Sequence, residues 1–324
     1  MRPFAYAAAR SLPQALEQVG ADSAYLAGGT TLVDLMKLEV LTPRRVVDIN
    51  GLPLRGVWVD RDGLHLGALE RMSDVAAHQL VADGYPLLSQ ALCQSASAQL
   101  RNMASIGGNL LQRVRCGYYR DTASPCNRRE PGTGCPAVHG ENRGHAILGT
   151  SDSCVATHPS DLAVALVALD ASVRLVRRGG ATRAVRLADF YRLPGDTPHL
   201  EHDLRPGELI TRVTVPPLAW ARRSTYLKIR DRRSYEFALA SAAVALDLAG
   251  GRIRDVRVAV GGVGTRPWRL PAVEAALRGR PLRVEVAEAA AERAVDGARP
   301  LSQNGFKTTL VRRVIVRALM RVAG

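Results

Sequence analysis

Four of the chain's five cysteines lie within 39 residues, and this segment constrains the fold more than any other feature of the sequence. Cys116, Cys126 and Cys135 are separated by nine and eight residues, and Cys154 follows after another eighteen. The intervening sequence resembles a surface loop, rich in glycine and proline. Such a segment has few local reasons to adopt one shape, so we expect its cysteines to determine its conformation.

Three kinds of site suit four clustered cysteines: a zinc site, two disulfides or an iron–sulfur cluster. Structural zinc usually uses cysteine pairs with roughly two to four residues between them, and the sequence has none. Nothing indicates an oxidising compartment, which weighs against disulfides. Four thiolates can hold a cubane cluster, although ferredoxin spacing is absent. A metal site is therefore favoured over structural thiols, and its identity stays open.

Charged and titratable residues accompany the cysteines. Arginines surround them, and their charge would favour an anionic cluster, although simple exposure explains them equally well: Arg113, Arg115, Arg120, Arg128 and Arg129. His139 and His145 are interpreted as loop histidines or as groups behind the ligands. Cys93 lies apart, near Leu88, Ala91 and Leu92 at helical spacing, and is expected to be a small buried side chain.

Composition fits a globular protein of two or three domains, with 324 residues, 47% hydrophobic and 23% charged. No apolar run approaches the roughly 20 residues of a membrane span, and residues 1–20 carry no export signature. The net charge of +14 is spread along the chain without interleaved aromatics. This disfavours a nucleic-acid partner.

Hydrophobic patterns predict a β-α-β unit in residues 1–55 and a hairpin around Asp62-Gly63. They predict helices at 73–82, at 86–98 and after Ser160 or Asp161 as the N-cap. Strands follow on both sides of Gly179-Gly180 and at 208–216. An antiparallel sheet is expected from about residue 222 and helices from about 271. The last helix is amphipathic, with Val311, Val314, Ile315, Ala318, Leu319 and Val322 on its apolar face.

Two glycine pairs are predicted as turns: AGGTT at 27–31, which ends a strand and opens a helix, and IGGN at 106–109. Such turns let backbone N–H groups approach an anion, and two of them can hold the two phosphates of a dinucleotide. Each glycine can equally serve only a tight turn. Neither pair belongs to a GxGxxG fingerprint. GGVGT at 261–265 is interpreted as a bulge or hairpin turn.

Several motifs together resemble the FAD-binding subunit of the molybdenum hydroxylases, the xanthine dehydrogenase and aldehyde oxidoreductase family. They are AGGTTLVDLMK, RNMASIGGNLLQR, the cysteine segment, THPSDLAVAL and YLKIRDRRSYEFALASAAVAL, and they span almost the whole chain. The cysteines bring the resemblance nearest to the flavin subunit of bacterial periplasmic aldehyde oxidoreductases, which carries an additional [4Fe–4S] cluster. The flavin subunit of 4-hydroxybenzoyl-CoA reductase has a comparable insertion.

The resemblance implies an α+β fold of the vanillyl-alcohol-oxidase (PCMH) type, with FAD held between two subdomains. We expect these at residues 1–55 and 56–220, with an iron–sulfur insertion at about 113–155. A C-terminal domain of antiparallel sheet and helices is expected at 221–324.

Family positions also imply site residues. The FAD diphosphate would be lined by Ala27, Gly28, Gly29, Thr30, Thr31 and Leu32. A second wall would be formed by Arg101, Asn102, Ile106, Gly107, Gly108 and Asn109. Ser160 and Asp161 would lie near ribityl or ribose hydroxyls. Lys228 would lie near the flavin and stabilise its reduced, anionic form; the alternative is a strand lysine facing solvent. Cys116, Cys126, Cys135 and Cys154 would bind the [4Fe–4S] cluster.

By resemblance, the chain is the middle, electron-transfer subunit of a heterotrimer. A large molybdenum-cofactor (molybdopterin) subunit oxidises an aldehyde or an aromatic heterocycle. Electrons then pass through the [2Fe–2S] clusters of a small subunit to FAD in this chain. An external acceptor follows: dioxygen, a quinone, a ferredoxin or NAD. No catalytic base or nucleophile is expected here, and the cluster is interpreted as auxiliary more readily than as a relay.

Two other functions stay open: a stand-alone flavin oxidase of the same fold, and a basic, metal-containing nucleic-acid-binding module. The sequence shows no signal of its own. The chain is therefore expected in the cytoplasm, or in the periplasm if a partner with a twin-arginine signal exports it.

Overall fold

Three β-sheets follow one another along the chain in the computed structural model, which describes residues 1–323. The elements of the first sheet region are β1 (Ala5–Ala8), α1 (Leu12–Gln18), β2 (Ser23–Leu26), α2 (Leu32–Lys37) and β3 (Arg45–Asp48). The strands are parallel in the order β1-β3-β2. The predicted β-α-β unit is present, and β1 is an additional strand that the pattern did not indicate.

The second sheet has five antiparallel strands in the order β4-β5-β8-β6-β7. They are β4 (Val57–Asp60), β5 (Gly63–Gly67), β6 (Ser172–Val176), β7 (Thr182–Arg186) and β8 (Leu209–Val215). The predicted hairpin joins β4 to β5. Gly63 begins β5 with φ +118°, and a Cβ atom there would lie 2.0 Å from Val215 O. Only glycine therefore fits at this turn.

Short helices connect the strands of this sheet along the chain: α3 (Met72–Ala77), α4 (Gln79–Gly84), α5 (Pro86–Gln94), α6 (Ala98–Met103), α7 (Ile106–Leu110), α8 (Gly117–Arg120), α9 (Asp161–Ala168) and α10 (Leu187–Phe190). The two helices predicted at 73–82 and 86–98 are each divided, because His78 and Ser95 adopt extended backbone. The prediction for Cys93 is wrong, because its side chain is exposed. Ala91 and Leu92 occupy the buried face of α5, and the next residue lies about 100° further around the helix.

The third sheet is antiparallel in the order β12-β11-β10-β9. Its strands are β9 (Ser224–Ile229), β10 (Ala240–Ala249), β11 (Arg252–Gly261) and β12 (Trp268–Arg269), followed by α11 (Pro271–Leu277), α12 (Val284–Ala291) and α13 (Phe306–Ala323). The predicted apolar face of α13 is buried except for Val322, which is half-buried. Lys307 is also buried on α13, which the pattern did not indicate. None of the helices in residues 1–323 has the length and apolar character that a membrane crossing requires.

Helix α9 lies between the second and third sheets, and all eight of its residues are buried. A helix that is apolar all round needs contacts on every side. Alternate residues of β10 meet this need on one face, where Ala243 and Ala245 share the core of α9. Val244 and Leu246 point to the other face and pack with α11, α12 and α13. The start of α9 is therefore fixed by both sheets.

The cysteine segment is mostly irregular, with α8 and a 3₁₀ turn at Pro136–Val138 as its regular elements within the described chain. Its end is attached to the third sheet. The amides of Ile147 and Leu148 both donate to Val263 O, at 2.8 and 3.0 Å. The segment is therefore held against the C-terminal sheet and does not extend freely from the second one.

Candidate functional site

The two predicted glycine turns face one cavity of about 190 Å³, which we name the glycine-turn cavity. Residues 27–32 all line it, as do Gly107 and Gly108. The remaining walls come from both flanking sheets. The lining is Tyr25, Ala27, Gly28, Gly29, Thr30, Thr31, Leu32, Leu41, Ile49, Ala68, Leu69, Ser105, Gly107, Gly108, Leu111, Arg113, Leu204, Glu208, Leu209 and Ile210.

Close backbone approach explains the glycines of these turns. A Cβ atom on Gly28 would lie 2.0 Å from Met103 O, so the first turn packs directly on the end of α6. Gly29 has φ +73°, a conformation that glycine adopts without strain. Gly107 donates from its amide to Ala68 O at 2.8 Å. These glycines therefore keep the cavity walls together in addition to closing turns.

A second cavity of about 320 Å³ lies at the N-terminal end of α9, and we name it the α9 cavity. Its walls come from the cysteine segment, from α9 and from the third sheet. The lining is Arg115, Cys116, Gly117, Glu141, Arg143, Gly144, His145, Thr157, His158, Pro159, Ser160, Asp161, Val164, Tyr226, Glu236, Phe237, Ala238, Ser241, Gly261 and Gly262.

The second glycine turn connects the two cavities. Gly107 and Gly108 line the glycine-turn cavity, and Asn109 follows them directly. The Oγ of Ser160, a lining residue of the α9 cavity, donates to Asn109 Oδ1 at 2.6 Å and accepts from Ala163 N at 3.0 Å. Ser160 is therefore the N-cap of α9. A ligand reaching from one cavity to the other would pass along α7.

Asp161 is the centre of a buried polar cluster. Its carboxylate accepts from Tyr226 Oη at 2.6 Å, from Lys228 Nζ at 2.8 Å and from Ser95 Oγ at 3.2 Å. Burial and the neighbouring Asp161 charge raise the pKa of Tyr226 well above its usual value. Lys228 Nζ also donates to Gln94 O at 3.1 Å. The alternative of a solvent-facing Lys228 is wrong, because the side chain is buried.

A carboxylate offers about four acceptor positions, and protein donors fill three of them on Asp161. At most about one position remains for a ligand hydroxyl. The cluster therefore fixes the wall of the α9 cavity more than it binds there. It joins α5 and α9 to β9 of the third sheet.

Each cavity has a lining residue with a buried polar atom that lacks a hydrogen-bond partner within residues 1–323. In the glycine-turn cavity it is Tyr25 Oη, and burial raises the pKa of Tyr25 to about 12. In the α9 cavity there are three such atoms, Arg115 Nε, His145 Nδ1 and Ser241 Oγ. Unpaired buried groups are rare in folded proteins, so those of both cavities point to a polar ligand.

Five residues predicted to contact FAD lie outside both cavity linings. Arg101 donates to Ser95 O at 2.8 Å, Asn102 is exposed, and Ile106 belongs to the core. Asn109 accepts from Ser160 Oγ, and Lys228 lies behind the wall and reaches the α9 cavity through Asp161. The role of these five residues in ligand binding stays a prediction.

Other lining residues were not predicted as site residues. Gly261 and Gly262 gave a signal, the GGVG pair, which was interpreted as a turn. Gly262 does turn, with φ +72°, and both glycines also form part of the α9 cavity. Tyr25, Phe237 and Glu208 were not predicted as lining residues, although Tyr25 lies in β2 only two residues before Ala27.

All four clustered cysteines line a third, apolar cavity, which we name the cysteine cavity. They are free thiols within the described chain, which does not favour the disulfide alternative. Burial raises the pKa of Cys116 to about 11 and also raises that of Cys135. Residues 1–323 contain no group of three or more His, Cys, Asp or Glu side chains placed for a single metal ion.

Two nitrogen groups approach the cysteine sulfurs. His145 Nε2 lies 3.2 Å from Cys116 Sγ, and Arg128 Nη2 donates to Cys154 Sγ at 3.4 Å. Cys116 and His145 line both the cysteine cavity and the α9 cavity. These two residues therefore form a shared wall.

Lys307 anchors the other side of the α9 cavity from beneath. Its Nζ donates to Gly144 O at 2.9 Å and to Gly262 O at 2.6 Å. Burial and the charge of Arg143 lower the pKa of Lys307 to about 7, while Asp231 opposes the shift. His145 also faces it, and burial with the Lys307 charge lowers the pKa of His145 to about 4.

Comparison with known proteins identifies the family of this chain. Residues 2–218 match the family described as the FAD binding domain in molybdopterin dehydrogenase. Residues 225–322 match the CO dehydrogenase flavoprotein C-terminal domain. The chain belongs to the FAD-binding subunits of the molybdenum hydroxylases.

Relatives of this family cover nearly the whole chain. The aldehyde oxidoreductase FAD-binding subunit PaoB of Escherichia coli (strain K12) is 48% identical over 296 residues, 91% of this chain and 90% of the relative. The glyceraldehyde dehydrogenase medium chain of Sulfolobus acidocaldarius is 31% identical over 327 residues, 99% and 98% of the two chains.

A solved structure agrees with this family assignment. Carbon monoxide dehydrogenase from Hydrogenophaga pseudoflava matches with a TM-score of 0.76 at 26% identity, covering 99% of this chain and 98% of that one. The predicted α+β flavoprotein fold and C-terminal domain are thereby confirmed, as are FAD as a cofactor and the assignment to an oxidoreductase subunit.

Proposed function

We propose that this chain is the FAD-carrying middle subunit of a heterotrimeric, molybdenum-dependent aldehyde oxidoreductase. The supporting observation is the 48% identity to an aldehyde oxidoreductase FAD-binding subunit over 91% of the chain. The partners in this proposal are a small [2Fe–2S] subunit and a large molybdenum-cofactor subunit. When bound, FAD takes up electrons from the small subunit and passes them to an external acceptor.

The chain's own residues would bind and orient FAD. We propose that residues 27–32, together with Gly107 and Gly108, hold the diphosphate in the glycine-turn cavity. Ser160 and Asp161 would face the sugar or ribityl hydroxyls at the entrance of the α9 cavity. Lys228 holds the Asp161 carboxylate in place through their 2.8 Å contact. A buried cation would also favour negative charge nearby.

We further propose that Cys116, Cys126, Cys135 and Cys154 hold a [4Fe–4S] cluster. Four soft thiolate donors around one apolar cavity suit iron–sulfur chemistry. The four irons of a cubane separate its ligands more widely than one metal ion does. The absence of a single-ion arrangement among residues 1–323 is compatible with that wider spacing. Arg128, donating to Cys154 Sγ, would offset the negative charge of the cluster.

The decisive experiment is an anaerobic purification of the complex with FAD and iron both quantified. About four irons per chain beyond those of the small subunit are expected. The Cys135→Ser variant should lose them, whereas Cys93→Ser, the matched control outside the segment, should retain them. Iron content unaffected by Cys135→Ser would refute the cluster. Turnover of aldehydes with dioxygen by the isolated chain would refute the subunit assignment in favour of a stand-alone oxidase.

A further inference from the structure

Three charged side chains, Arg128 and Glu201 largely buried and Arg113 30% exposed, form a triad between the cysteine cavity and the glycine-turn cavity. Glu201 pairs through one carboxylate oxygen with Arg113 Nη1 and through the other with Arg128 Nη1, the latter at 3.2 Å. The far side of Arg128 donates to Cys154 Sγ at 3.4 Å. Arg113 lines the glycine-turn cavity. One carboxylate thus connects a guanidinium at each cofactor site.

The triad carries a net positive charge. Burial acts to raise the pKa of Glu201, but Arg113 and Arg128 hold it below its usual value, so the carboxylate is ionised. The neighbouring imidazoles are neutral, because burial lowers the pKa of His158 to about 3 and of His202 to about 4. Two guanidinium groups therefore share one carboxylate.

Uncompensated buried charge is costly, so an anion is needed at one or both ends. The Arg128 side chain is only 5% exposed, and its Nε has no hydrogen-bond partner within residues 1–323. The Cys154 sulfur, to which Arg128 Nη2 donates, would be an anionic ligand in the proposed cluster. At the other end, Arg113 lines the glycine-turn cavity, where a phosphate of the proposed FAD would supply an anion.

We propose that this triad is an electrostatic element shared by both cofactor sites: Arg128 sets the reduction potential of the cluster, and Arg113 binds an FAD phosphate. The proposal rests on the cluster and FAD assignments above. Hydrogen bonds to cluster sulfurs and nearby net charge are the protein's main means of shifting cluster potentials. A buried cation stabilises the reduced form, which carries one more electron, and Glu201 opposes this effect.

The test is an anaerobic redox titration of the assembled complex, following the one-electron reduction of the cluster by electron paramagnetic resonance. Arg128→Leu should shift the potential to more negative values, because a positive charge and a sulfur hydrogen bond are both removed. Glu201→Gln should shift it to more positive values. Glu130→Gln is the matched control, because it makes the same change at an exposed site in the same segment and should leave the potential unchanged.

Shifts of the potential in opposite directions for Arg128→Leu and Glu201→Gln, at unchanged iron content, would support this electrostatic role. If the triad were merely structural, both variants would lose iron, and the direction of any potential shift would not follow the charge that was removed. If Arg128→Leu assembles without iron, the same redox titration of Arg128→Lys and Glu201→Gln tests the proposal. Unchanged potentials, or shifts of the same sign, would overturn the Arg128 assignment. Wild-type protein without the additional iron would instead refute the cluster.

The second arm measures FAD affinity by flavin fluorescence during titration of the deflavinated complex. Arg113→Leu should weaken FAD binding about 10- to 100-fold, as expected for loss of a charge-assisted hydrogen bond. Arg113→Lys should recover part of the loss, because it restores charge without the planar fork. Equal affinities for wild type and Arg113→Leu would overturn the phosphate contact while leaving the FAD assignment intact.

Discussion

The Asp161–Lys228 ion pair offers the sharpest energetic prediction. Lys228 and Asp161 have side chains that are 1% and 6% exposed, and the pair joins α9 to β9. In Asp161→Asn, one amide oxygen must serve three donors, and the buried Lys228 charge loses its counter-ion. Removing one partner of a buried pair costs about 3–5 kcal/mol. That is a large share of the roughly 5–15 kcal/mol by which domains are stable.

Urea unfolding of the FAD-saturated protein, followed by circular dichroism and flavin fluorescence, measures this cost. The matched control is Asp62→Asn, which removes a 71% exposed carboxylate facing Arg61 and should cost less than about 0.5 kcal/mol. Lys228→Met alone should also destabilise the protein, because it leaves the Asp161 charge with only hydroxyl donors.

The double variant carries the decisive information. If the two groups stabilise each other, Asp161→Asn combined with Lys228→Met should cost about 2–3 kcal/mol less than the sum of the single changes. Additive costs would show that the pair does not interact as the 2.8 Å distance implies. A cost of Asp161→Asn below about 1 kcal/mol would refute the argument from burial.

Two further predictions follow from the cavity walls. Gly28→Ala should destabilise the protein by about 1–3 kcal/mol and weaken FAD binding, because its Cβ would lie 2.0 Å from Met103 O. The control is Gly84→Ala, whose Cβ would meet no atom within 4 Å and which should change neither stability nor FAD binding. Equal behaviour of the two variants would contradict the packing argument. Lys307 has a folded pKa of about 7 against an ordinary 10.5, so the unfolded chain binds more protons between these values. The free energy of unfolding of wild type, relative to that of Lys307→Met, should therefore increase by a few kcal/mol as the pH rises from about 7 to about 10.5. A difference between the two proteins that does not change with pH would show that the lysine is not desolvated.

Features that depend on local sequence were predictable. Residues 27–32 and the pair Gly107-Gly108 combine glycine with an adjacent helix start, and both line one cavity as expected. The N-cap at Ser160 was predicted as one of two alternatives, because the hydroxyl and the following apolar run are neighbours in sequence. The antiparallel sheet expected from about residue 222 is present, and its strands β9, β10 and β11 are consecutive in sequence.

Features that depend on distant residues were not predictable. Glu201 lies 88 residues from Arg113, and nothing near either residue signals their pairing. Lys307 can occupy a core position of α13 because two carbonyl oxygens from other segments accept hydrogen bonds from its Nζ. The apolar periodicity of the helix does not indicate these distant acceptors. For Cys93 the error was the opposite one, a side chain predicted to be buried that is exposed. Its apolar neighbours suggested burial, but its position around the helix places the side chain on the exposed face.

The shared wall formed by Cys116 and His145 determines how the role of the cluster must be tested. Both residues line the α9 cavity as well as the cysteine cavity. With cluster and flavin placed as proposed above, loss of the cluster would change the flavin site even if no electron passed through the irons. Normal flavin reduction in a cluster-free Cys135→Ser complex excludes an obligatory relay. Slow reduction supports a relay only where FAD content and the flavin absorption spectrum match wild type, because a displaced wall would slow the same reaction.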